Sequence, residues 1–338
     1  MNYSGVAVRD ELAWDAHCDA APGWLEPYLD VPDDASPPLA CTPVHGAAVG
    51  SYGPAAVDWM ESELGVALRW WQRYATVRQL EHDEQGRLVW STVLESASRR
   101  SGKSLRLRSM ALWRLAHDEL FSEPQLAVHC GKDLAIVREI QRAAWRWADE
   151  RGWRVVRAIG RESIERDEHR WLARSVDSVY GYDICLGYVD EAWSVAAEVV
   201  REGMEPATLE RVSPQIVLTS TAHRRATSLM PDAIGAALAV DDGASLLLLW
   251  SAPDGADVGA EGTWRAASPH WSADRAALLA AKWDKAVRGE AVADLDDADP
   301  VAGFASQYVN QWRLRSAETE GWGFVARDVW QEALYGSE

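Results

Sequence analysis

The sequence predicts an α/β fold, in which a mostly parallel β-sheet carries helices on both faces. From residue 55 onwards, short runs of aliphatic, β-branched and aromatic residues alternate with stretches whose apolar residues recur at helical spacing. Apolar residues make up 48% of the 338 residues, which is enough for a sizeable buried core. Consecutive parallel strands need a crossover between them, and the helical stretches supply it.

The chain divides by composition into three parts. Residues 1–50 are predicted to form an irregular arm, because six prolines are interleaved there with acidic residues and alanines. Residues 51–265 form the predicted core, and residues 266–338 a small helical lid and linker region. The predicted strands are residues 88–94, 126–130, 153–158, 163–165, 171–175, 184–189, 215–220 and 246–250. The predicted helices are residues 55–71, 103–117, 133–150, 272–288 and 301–314, with one more on each side of strand 215–220.

Charge and composition exclude several classes of protein. The chain has 34 Lys and Arg against 52 Asp and Glu, a net charge of −18, so DNA contact requires a local basic patch. Its four cysteines show no CxxC spacing, which argues against a zinc ribbon or a redox pair. We see no signal peptide, and the longest aliphatic run, residues 246–249, is too short to span a bilayer. We therefore expect a cytosolic protein with reduced thiols and no membrane partner, whose 19 tryptophans mostly fill packing positions.

The sharpest local motif is the segment 97–104, ASRRSGKS, between a predicted strand and a predicted helix. It matches the phosphate-loop pattern GxxxxGK[ST] except that Ala97 replaces the first glycine. In such a loop backbone N–H groups face the phosphates, a lysine reaches the β- and γ-phosphates, and a hydroxyl holds Mg²⁺. Lys103 and Ser104 match those two roles. A chance GKS in a turn is the competing interpretation, so a partner motif is needed.

That partner is the apolar strand 184–189, which ends in Asp190 and Glu191. An aspartate at a strand tip can hold Mg²⁺, and a glutamate beside it can orient and polarise the attacking water. Acids that merely open the next helix are the alternative. Together with the loop, the strand predicts a P-loop NTPase of the ASCE (RecA-like) type.

Several blocks of the chain, in order, resemble the large terminase subunits of tailed bacteriophages, the ATPases that drive DNA into a preformed capsid. The resemblance extends roughly over residues 45–330. It rests on residues 68–74, 80–83, 86–87, 89–90, 98–104, 189–193, 218–222, 268–271 and 304–312.

The resemblance implies ATP and Mg²⁺ as cofactors and assigns the site residues. Glu191, Arg99 and Lys103 form the catalytic set, and Ser104 and Asp190 hold the metal. The nucleotide-binding residues are Trp71, Gln72, Ser98, Arg99, Arg100, Ser101, Gly102, Lys103 and Ser104. Gln72 is expected to read adenine, with Trp71 or Tyr74 packing nearby, and ordinary core packing is the alternative for these two aromatic residues. Ser220, Thr221 and Ala222 form a coupling motif that links hydrolysis to domain movement.

The resemblance also implies partners. These are double-stranded DNA, gripped transiently, a portal protein and a small terminase subunit. We expect a homo-oligomeric ring, a pentamer, on the portal and a monomer in isolation. The expected location is the host cytoplasm and, during packaging, the portal vertex of the procapsid.

Two departures from the family pattern matter. The family continues into a nuclease domain, whereas this sequence stops at Glu338, so we expect no nuclease activity from it and a nuclease encoded separately, deleted or truncated. We expect the acids Asp294, Asp296, Asp297 and Asp299 to form a solvated, capping stretch instead. Some members of the family carry an arginine that acts across subunits, directly before a glycine and ahead of the acidic strand. This sequence has Tyr180-Gly181 at that position. Arg174 ranks first as its substitute, ahead of Arg157, Arg161, Arg166 and Arg170.

Alternatives remain open. The chain could be a helicase-like or other P-loop DNA translocase, although there is no room for a second RecA-like domain. It could also be a non-catalytic remnant of a terminase, although Lys103, Asp190 and Glu191 are all retained. The basic run His223-Arg224-Arg225 is either a DNA-facing patch or a charged helix start.

Overall fold

The computed structural model describes residues 2–3, 6–290 and 299–314. Its strands are β1 Asn2–Tyr3, β2 Val6–Ala7, β3 Ala40–Cys41, β4 Gly50–Ser51, β5 Glu81–His82, β6 Thr92–Ser96, β7 Leu126–Gly131, β8 Arg154–Val156, β9 Ser163–Arg166, β10 His169–Ala173, β11 Leu186–Asp190, β12 Gln215–Ser220 and β13 Ser245–Leu249. Its helices are α1 Trp14–Asp19, α2 Gly53–Glu63, α3 Trp70–Gln79, α4 Lys103–Ala116, α5 Leu134–Arg142, α6 Trp145–Glu150, α7 Leu229–Ala239, α8 Glu261–Ala266, α9 Ala273–Val287 and α10 Pro300–Gln307. None of the helices in these ranges is long and apolar enough to cross a membrane.

The strands build a nine-stranded sheet in the order β3-β13-β6-β12-β11-β7-β10-β9-β8. The six strands from β13 to β10 are parallel, and β3, β9 and β8 pair antiparallel at the two edges. Ser96 of β6 lies level with Ser220 of β12, and Asp190 of β11 with Thr219. The loop strand β6 and the acidic strand β11 therefore end at one edge of the sheet, separated by β12.

Alternate residues of each strand point into two separate cores, one on each face of the sheet. Val93 and Tyr188 pack with α2, α3 and α4 on one face. Leu94 and Val189 pack with α7 on the other. Because both faces of the central strands are buried, these strands are nearly continuous apolar runs in the sequence.

A third, smaller core joins the last helices. Trp264 of α8, Leu279 of α9 and Phe304 of α10 meet there and are buried. Phe304 contacts the Trp283 ring with centroids 5.1 Å apart. The lid region predicted as helical thus has its own apolar centre within the described residues.

The long helices of the prediction are shorter in the structure. The stretch 55–71 is two helices, α2 and α3, because α2 ends where Gly65 adopts a left-handed backbone with φ of 63°. The stretch 133–150 breaks between α5 and α6, and Trp147 then packs edge-on against Trp59 and Trp153. Local periodicity carries no information about such a long-range aromatic contact.

Other boundaries also differ from the prediction. The strand predicted from residue 88 begins at Thr92, because Val89 pairs instead with the Glu81 carbonyl. Between β11 and β12 the chain forms short helical turns, including one π-helical turn at Val199–Met204, rather than a regular helix. The last helix ends at Gln307 instead of residue 314, because the following residues enter the core.

The N-terminal arm is irregular over most of its length, yet it belongs to the sheet. Ala40 and Cys41 form the edge strand β3 against β13. Leu12 and Leu25 are wholly buried, and His17 hydrogen-bonds the Tyr74 hydroxyl of α3 at 2.9 Å. The arm therefore packs on the sheet and on α3.

Candidate nucleotide site

The loop between β6 and α4 turns sharply into the N-terminus of α4. Arg100 and Gly102 have left-handed backbones, with φ of 59° and 104°. A Cβ on Gly102 would lie 2.9 Å from Nε2 of Gln72, so both conformation and space require glycine here. The first N–H groups of α4 have no partner within the helix, which makes this terminus a suitable place for a phosphate.

The carbonyl groups of the loop are held by α3. Trp71 Nε1 donates to the Ser101 carbonyl at 3.2 Å, as does Arg69 Nη1 at 2.9 Å. Gln72 Nε2 donates to the Gly102 carbonyl at 2.8 Å. Because these oxygens are engaged from the α3 side, they do not face an anion bound at the loop amides.

Trp71 lies beneath the loop. The indole is wholly buried and packs edge-on against Trp250, so it supports the loop from inside the protein, and its place near the base stays a prediction. Gln72 is also buried, and its Oε1 accepts from the backbone N–H of Arg69. Both ends of the Gln72 amide are used within the protein, and its adenine contact stays a prediction.

Lys103 lies at the first position of α4 with its ammonium group turned back into the loop. Its Nζ donates to the Ala97 carbonyl and to Thr221 Oγ1, both at 2.9 Å, and to the Ser98 carbonyl at 3.4 Å. Burial lowers the pKa of Lys103, and the nearby Glu191 and Asp190 carboxylates oppose that effect. The lysine is therefore held by uncharged oxygens within the field of two carboxylates.

Asp190 ends β11 and Glu191 follows it in a left-handed backbone with φ of 51°. Asp190 is 5% exposed, and burial, reinforced by the Glu191 charge, raises its pKa to about 7. Its Oδ1 accepts from the Glu191 N–H at 3.0 Å. The left-handed residue turns the chain at the end of the strand, so two successive carboxylates reach the same edge of the sheet.

The loop and the two acids face one cavity of about 570 Å³. Cationic side chains and carboxylates both line this cavity, a combination that suits a polyphosphate with a divalent cation. The lining residues are Ala67, Arg69, Gln72, Arg99, Arg100, Ser101, Gly102, Lys103, Ser104, Leu105, Asp190, Glu191, Thr221 and Tyr308.

The residues expected to hold Mg²⁺ fit that ion. Ser104 is exposed at the start of α4, and its hydroxyl and the Asp190 carboxylate line the same cavity. Mg²⁺ prefers oxygen ligands and keeps several waters beside one or two protein groups. Within residues 2–3, 6–290 and 299–314, no cluster of three or more His, Cys, Asp or Glu could hold a metal ion by itself.

The predicted coupling residues link the loop to the segment that follows β12. Ser220 accepts the Ala97 N–H on its carbonyl at 3.2 Å. Thr221 Oγ1 contacts both Lys103 Nζ, at 2.9 Å, and the Ala97 carbonyl, at 2.8 Å. The Ala222 N–H donates to Asn310 Oδ1 at 2.7 Å. These three residues thus contact the lysine, the loop and the chain after α10.

A comparison with solved structures shows where this architecture occurs. The large terminase of bacteriophage HK97 matches with a TM-score of 0.60 over 78% of this chain and 55% of that one, at 16% identity. The chain therefore shares its fold with the matched part of the HK97 large terminase. The chain covers little more than half the length of that terminase. The predicted fold class, an α/β fold with a mostly parallel sheet and helices on both faces, is confirmed, and its assignment to the ASCE type of P-loop NTPases stays a prediction.

Two further solved structures match a smaller part of this chain. The large terminase of a thermophilic bacteriophage, in complex with ADP, matches at 16% identity and a TM-score of 0.36, over 48% of this chain and 40% of that one. The large terminase ATPase domain of Thermus phage P74-26 matches at 18% identity and a TM-score of 0.36, over 48% of this chain and 67% of that one. No family model and no curated protein matches the sequence.

Arg99 and Arg100 lie on the exposed side of the loop. The Arg99 guanidinium donates to Gln307 Oε1 at 2.7 Å, and its backbone N–H donates to the Gln307 carbonyl at 3.1 Å. Arg99 therefore contacts the end of α10 from within the loop. The catalytic role of Arg99 and the nucleotide contact of Arg100 stay predictions.

Arg174, the candidate for action across subunits, and Arg224, from the candidate DNA-facing run, both have partners in their own chain. Arg174 donates to the Tyr182 hydroxyl at 3.0 Å and to the Ala173 carbonyl at 2.8 Å, so its action across subunits stays a prediction. Arg224 lies 3.5 Å from Asp299, which also caps α10 through the Ala302 N–H, as predicted for a capping acid. Asp294, Asp296 and Asp297 lie outside the described residues.

Sequence reasoning missed Arg275 of α9, which contacts the loop from the lid. Its guanidinium donates to Ser98 Oγ at 2.7 Å and to Ser268 Oγ at 3.1 Å, and approaches the Arg99 carbonyl at 3.4 Å. Burial lowers its pKa to about 10. An arginine in an amphipathic helix resembles any surface arginine, so no local pattern reveals this contact.

Asn310 is the second missed residue, although it lies in a block that resembles the family. It is wholly buried with φ of 56°. Its Nδ2 donates to Ser96 Oγ at 2.9 Å and to the Trp250 carbonyl at 2.6 Å, while its Oδ1 accepts the Ala222 N–H. One amide thus joins the ends of β6, β12 and β13 to the segment after α10.

Proposed function

We propose that this chain hydrolyses ATP with Mg²⁺ and that hydrolysis drives double-stranded viral DNA into a procapsid. One observation carries the proposal. On the fold of the HK97 large terminase, Lys103, Ser104, Asp190 and Glu191 line a single cavity at the edge where the parallel strands end. Those groups are the set that P-loop hydrolysis of a nucleoside triphosphate requires.

The proposed roles follow from the contacts. The loop amides and Lys103 bind the β- and γ-phosphates, and Lys103 exchanges its bonds to Ala97 and Thr221 for phosphate oxygens. Ser104 and Asp190 hold Mg²⁺, which neutralises charge on the phosphates when bound. Glu191 orients the attacking water and accepts its proton.

In the same proposal the chain acts within a larger assembly. It forms a ring, a pentamer, on the portal protein, receives DNA with the small terminase subunit, and works beside a separately encoded nuclease. It resides in the host cytoplasm and at the portal vertex during packaging. The division into an arm, residues 1–50, a core, residues 51–265, and a lid and linker, residues 266–338, belongs to this proposal.

ATP turnover tests the first half of the proposal. Wild type should hydrolyse ATP with Mg²⁺ and lose activity with EDTA, while Lys103→Ala and Glu191→Gln should each lower kcat by at least about 100-fold. Lys285→Ala and Glu210→Gln, two exposed sites away from the cavity, are matched controls and should retain activity. A wild type that shows no turnover even with portal and DNA would identify a remnant.

Packaging tests the second half. Procapsids of the same virus, carrying their portal, should protect added double-stranded DNA from nuclease digestion only when the chain and ATP are both present. Glu191→Gln should abolish this protection. If the chain instead separates DNA strands and gives no protection with portal-bearing procapsids, it is a helicase-like translocase.

A further inference from the structure

The side chain of Glu191 has one direct partner that the proposed mechanism does not use. The indole Nε1 of Trp193 donates to Glu191 Oε2 at 2.8 Å. Glu191 precedes the short helical turn Ala192–Ser194, so Trp193 is two residues away and the left-handed backbone of Glu191 brings the two side chains together. One carboxylate oxygen is thereby fixed, and the other is left to act on water.

The backbone of Trp193 is attached to the coupling segment. Its N–H donates to Ser220 Oγ at 3.2 Å. Its carbonyl accepts from the Thr227 N–H at 2.7 Å and from Thr227 Oγ1 at 3.3 Å. Trp193 is therefore bonded to the end of β12 and to the start of the segment that leads into α7.

Two basic residues, His223 and Lys132, contact the Trp193 indole ring. The His223 ring stacks on it, with centroids 3.8 Å apart and planes 9° from parallel. The Lys132 ammonium lies 4.2 Å from the centroid of the Trp193 ring. His223 directly follows the coupling motif, so the stack connects the coupling segment to the indole that bonds Glu191.

A second cavity of about 450 Å³ lies on this side of Glu191. Lys132, Trp193 and His223 line it together with Asp190, Glu191 and the coupling residues Thr221 and Ala222. Glu191 thus borders both cavities. It shares the first cavity with the phosphate loop and the second with the Trp193 indole.

We infer that Trp193 is a positioning residue that orients the Glu191 carboxylate for attack, and that its stack with His223 makes this orientation depend on the coupling segment. The inference rests on the proposed function, because it assigns a task to Trp193 only if Glu191 activates water. A hydrogen bond to a carboxylate that fixes its direction acts on the chemical step and leaves substrate binding unchanged.

Trp193→Phe tests the inference, because it keeps an aromatic ring for the stack and removes the N–H donor. We expect kcat for ATP to fall about tenfold, which corresponds to about 1.4 kcal/mol, while KM and the affinity for a non-hydrolysable ATP analogue stay within twofold. Trp147→Phe is the matched control, because its indole N–H also donates a hydrogen bond, to the Glu63 carbonyl, at the surface. It should leave kcat unchanged.

Two further variants separate positioning from simple structural support. In a Glu191→Gln background, Trp193→Phe should cause no additional loss of kcat, because the residue it positions no longer accepts a proton. His223→Ala should lower kcat several-fold, and His223→Tyr, which keeps a ring for stacking, should restore most of it.

The outcomes are distinct from those that test the proposed function. No turnover by wild type refutes the proposed function itself. An active wild type with unchanged kcat in Trp193→Phe refutes the inference, as does an equal loss in the Glu191→Gln background. A parallel change of kcat, nucleotide affinity and melting temperature would assign Trp193 a structural role and also refute it.

Discussion

Arg275 offers a sharp test of how the lid holds the phosphate loop. It is 7% exposed and joins α9 to the loop through Ser98 Oγ, at 2.7 Å, and to the start of the lid through Ser268 Oγ, at 3.1 Å. Replacing it with methionine keeps much of the apolar stem and removes every donor. The question is whether the change damages the fold or only the nucleotide site.

Two opposing contributions decide the effect on stability. Hydrogen bonds from a charged group contribute about 1.5–3 kcal/mol each, so the two short bonds of Arg275 contribute roughly 3–6 kcal/mol together. Burial, with the nearby Arg69 charge, lowers the pKa of Arg275 to about 10, which shows that the site partly disfavours the buried charge. Arg275→Met should therefore lower the free energy of unfolding by less than the roughly 6 kcal/mol upper sum of the two bonds, and a domain of ordinary stability stays folded.

The site should be affected more clearly than the fold. Without Arg275, Ser98 and the Arg99 carbonyl lose their contact with α9, and the loop must be ordered when nucleotide binds. We expect the Kd of a non-hydrolysable ATP analogue to rise about tenfold, which corresponds to about 1.4 kcal/mol. Isothermal titration calorimetry measures this change, and urea unfolding measures the stability of the same variant.

Two comparison variants complete the design. Arg288→Met alters an exposed arginine at the C-terminal end of the same helix and should leave the Kd unchanged. Arg275→Lys should lie between wild type and methionine, because a lysine cannot reach two acceptors with the fork of a guanidinium. A stable Arg275→Met protein whose Kd and kcat stay within twofold of wild type would refute the proposed link between lid and loop.

Three further predictions concern buried polar groups. Asn310→Ala leaves the Ala222 N–H and other buried groups unpaired, and should lower the free energy of unfolding by about 2–4 kcal/mol in urea titrations; a loss under about 1 kcal/mol would contradict this. Burial lowers the pKa of His129 to about 3. Below about pH 6.5, His129 is therefore protonated in the unfolded chain but stays neutral in the folded chain. Stability should fall as pH drops from about 6.5 to about 3, and His129→Leu should reduce that slope in thermal melts, whereas an unchanged slope would speak against it. Trp71→Phe removes the donor to the Ser101 carbonyl and should weaken nucleotide binding about threefold. An unchanged affinity for nucleotide would contradict this prediction.

The features that could be predicted from the sequence are those encoded by short local patterns. The loop before Lys103 and the strand end at Asp190 each consist of a short stretch with a required conformation, and the structure brings both to one cavity. The alternation of apolar runs with helical stretches likewise predicts the parallel sheet. The left-handed Gly65 could also have been read as a helix end, because glycine is favoured after the last turn.

Contacts between distant segments leave no such pattern. Arg275 and Asn310 contact residues far away in the chain, at Ser98 and Ser96 respectively, and each is polar and buried only because its partners are there. The edge-on contact between Trp71 and Trp250 likewise joins residues far apart in the chain, so no local pattern reveals it. The strand β3 has two residues, too few for any periodicity.

The edges of the nine-stranded sheet set a condition on assembly. One edge ends in the two residues of β3 and the other in the three residues of β8, and both strands run antiparallel to their neighbours. Short edge strands expose few unpaired backbone groups, so they disfavour the joining of two sheets into one. In the proposed ring, copies of this chain are thus expected to recognise each other through side chains, so that neighbouring subunits would separate and re-engage without breaking a continuous ladder of backbone hydrogen bonds.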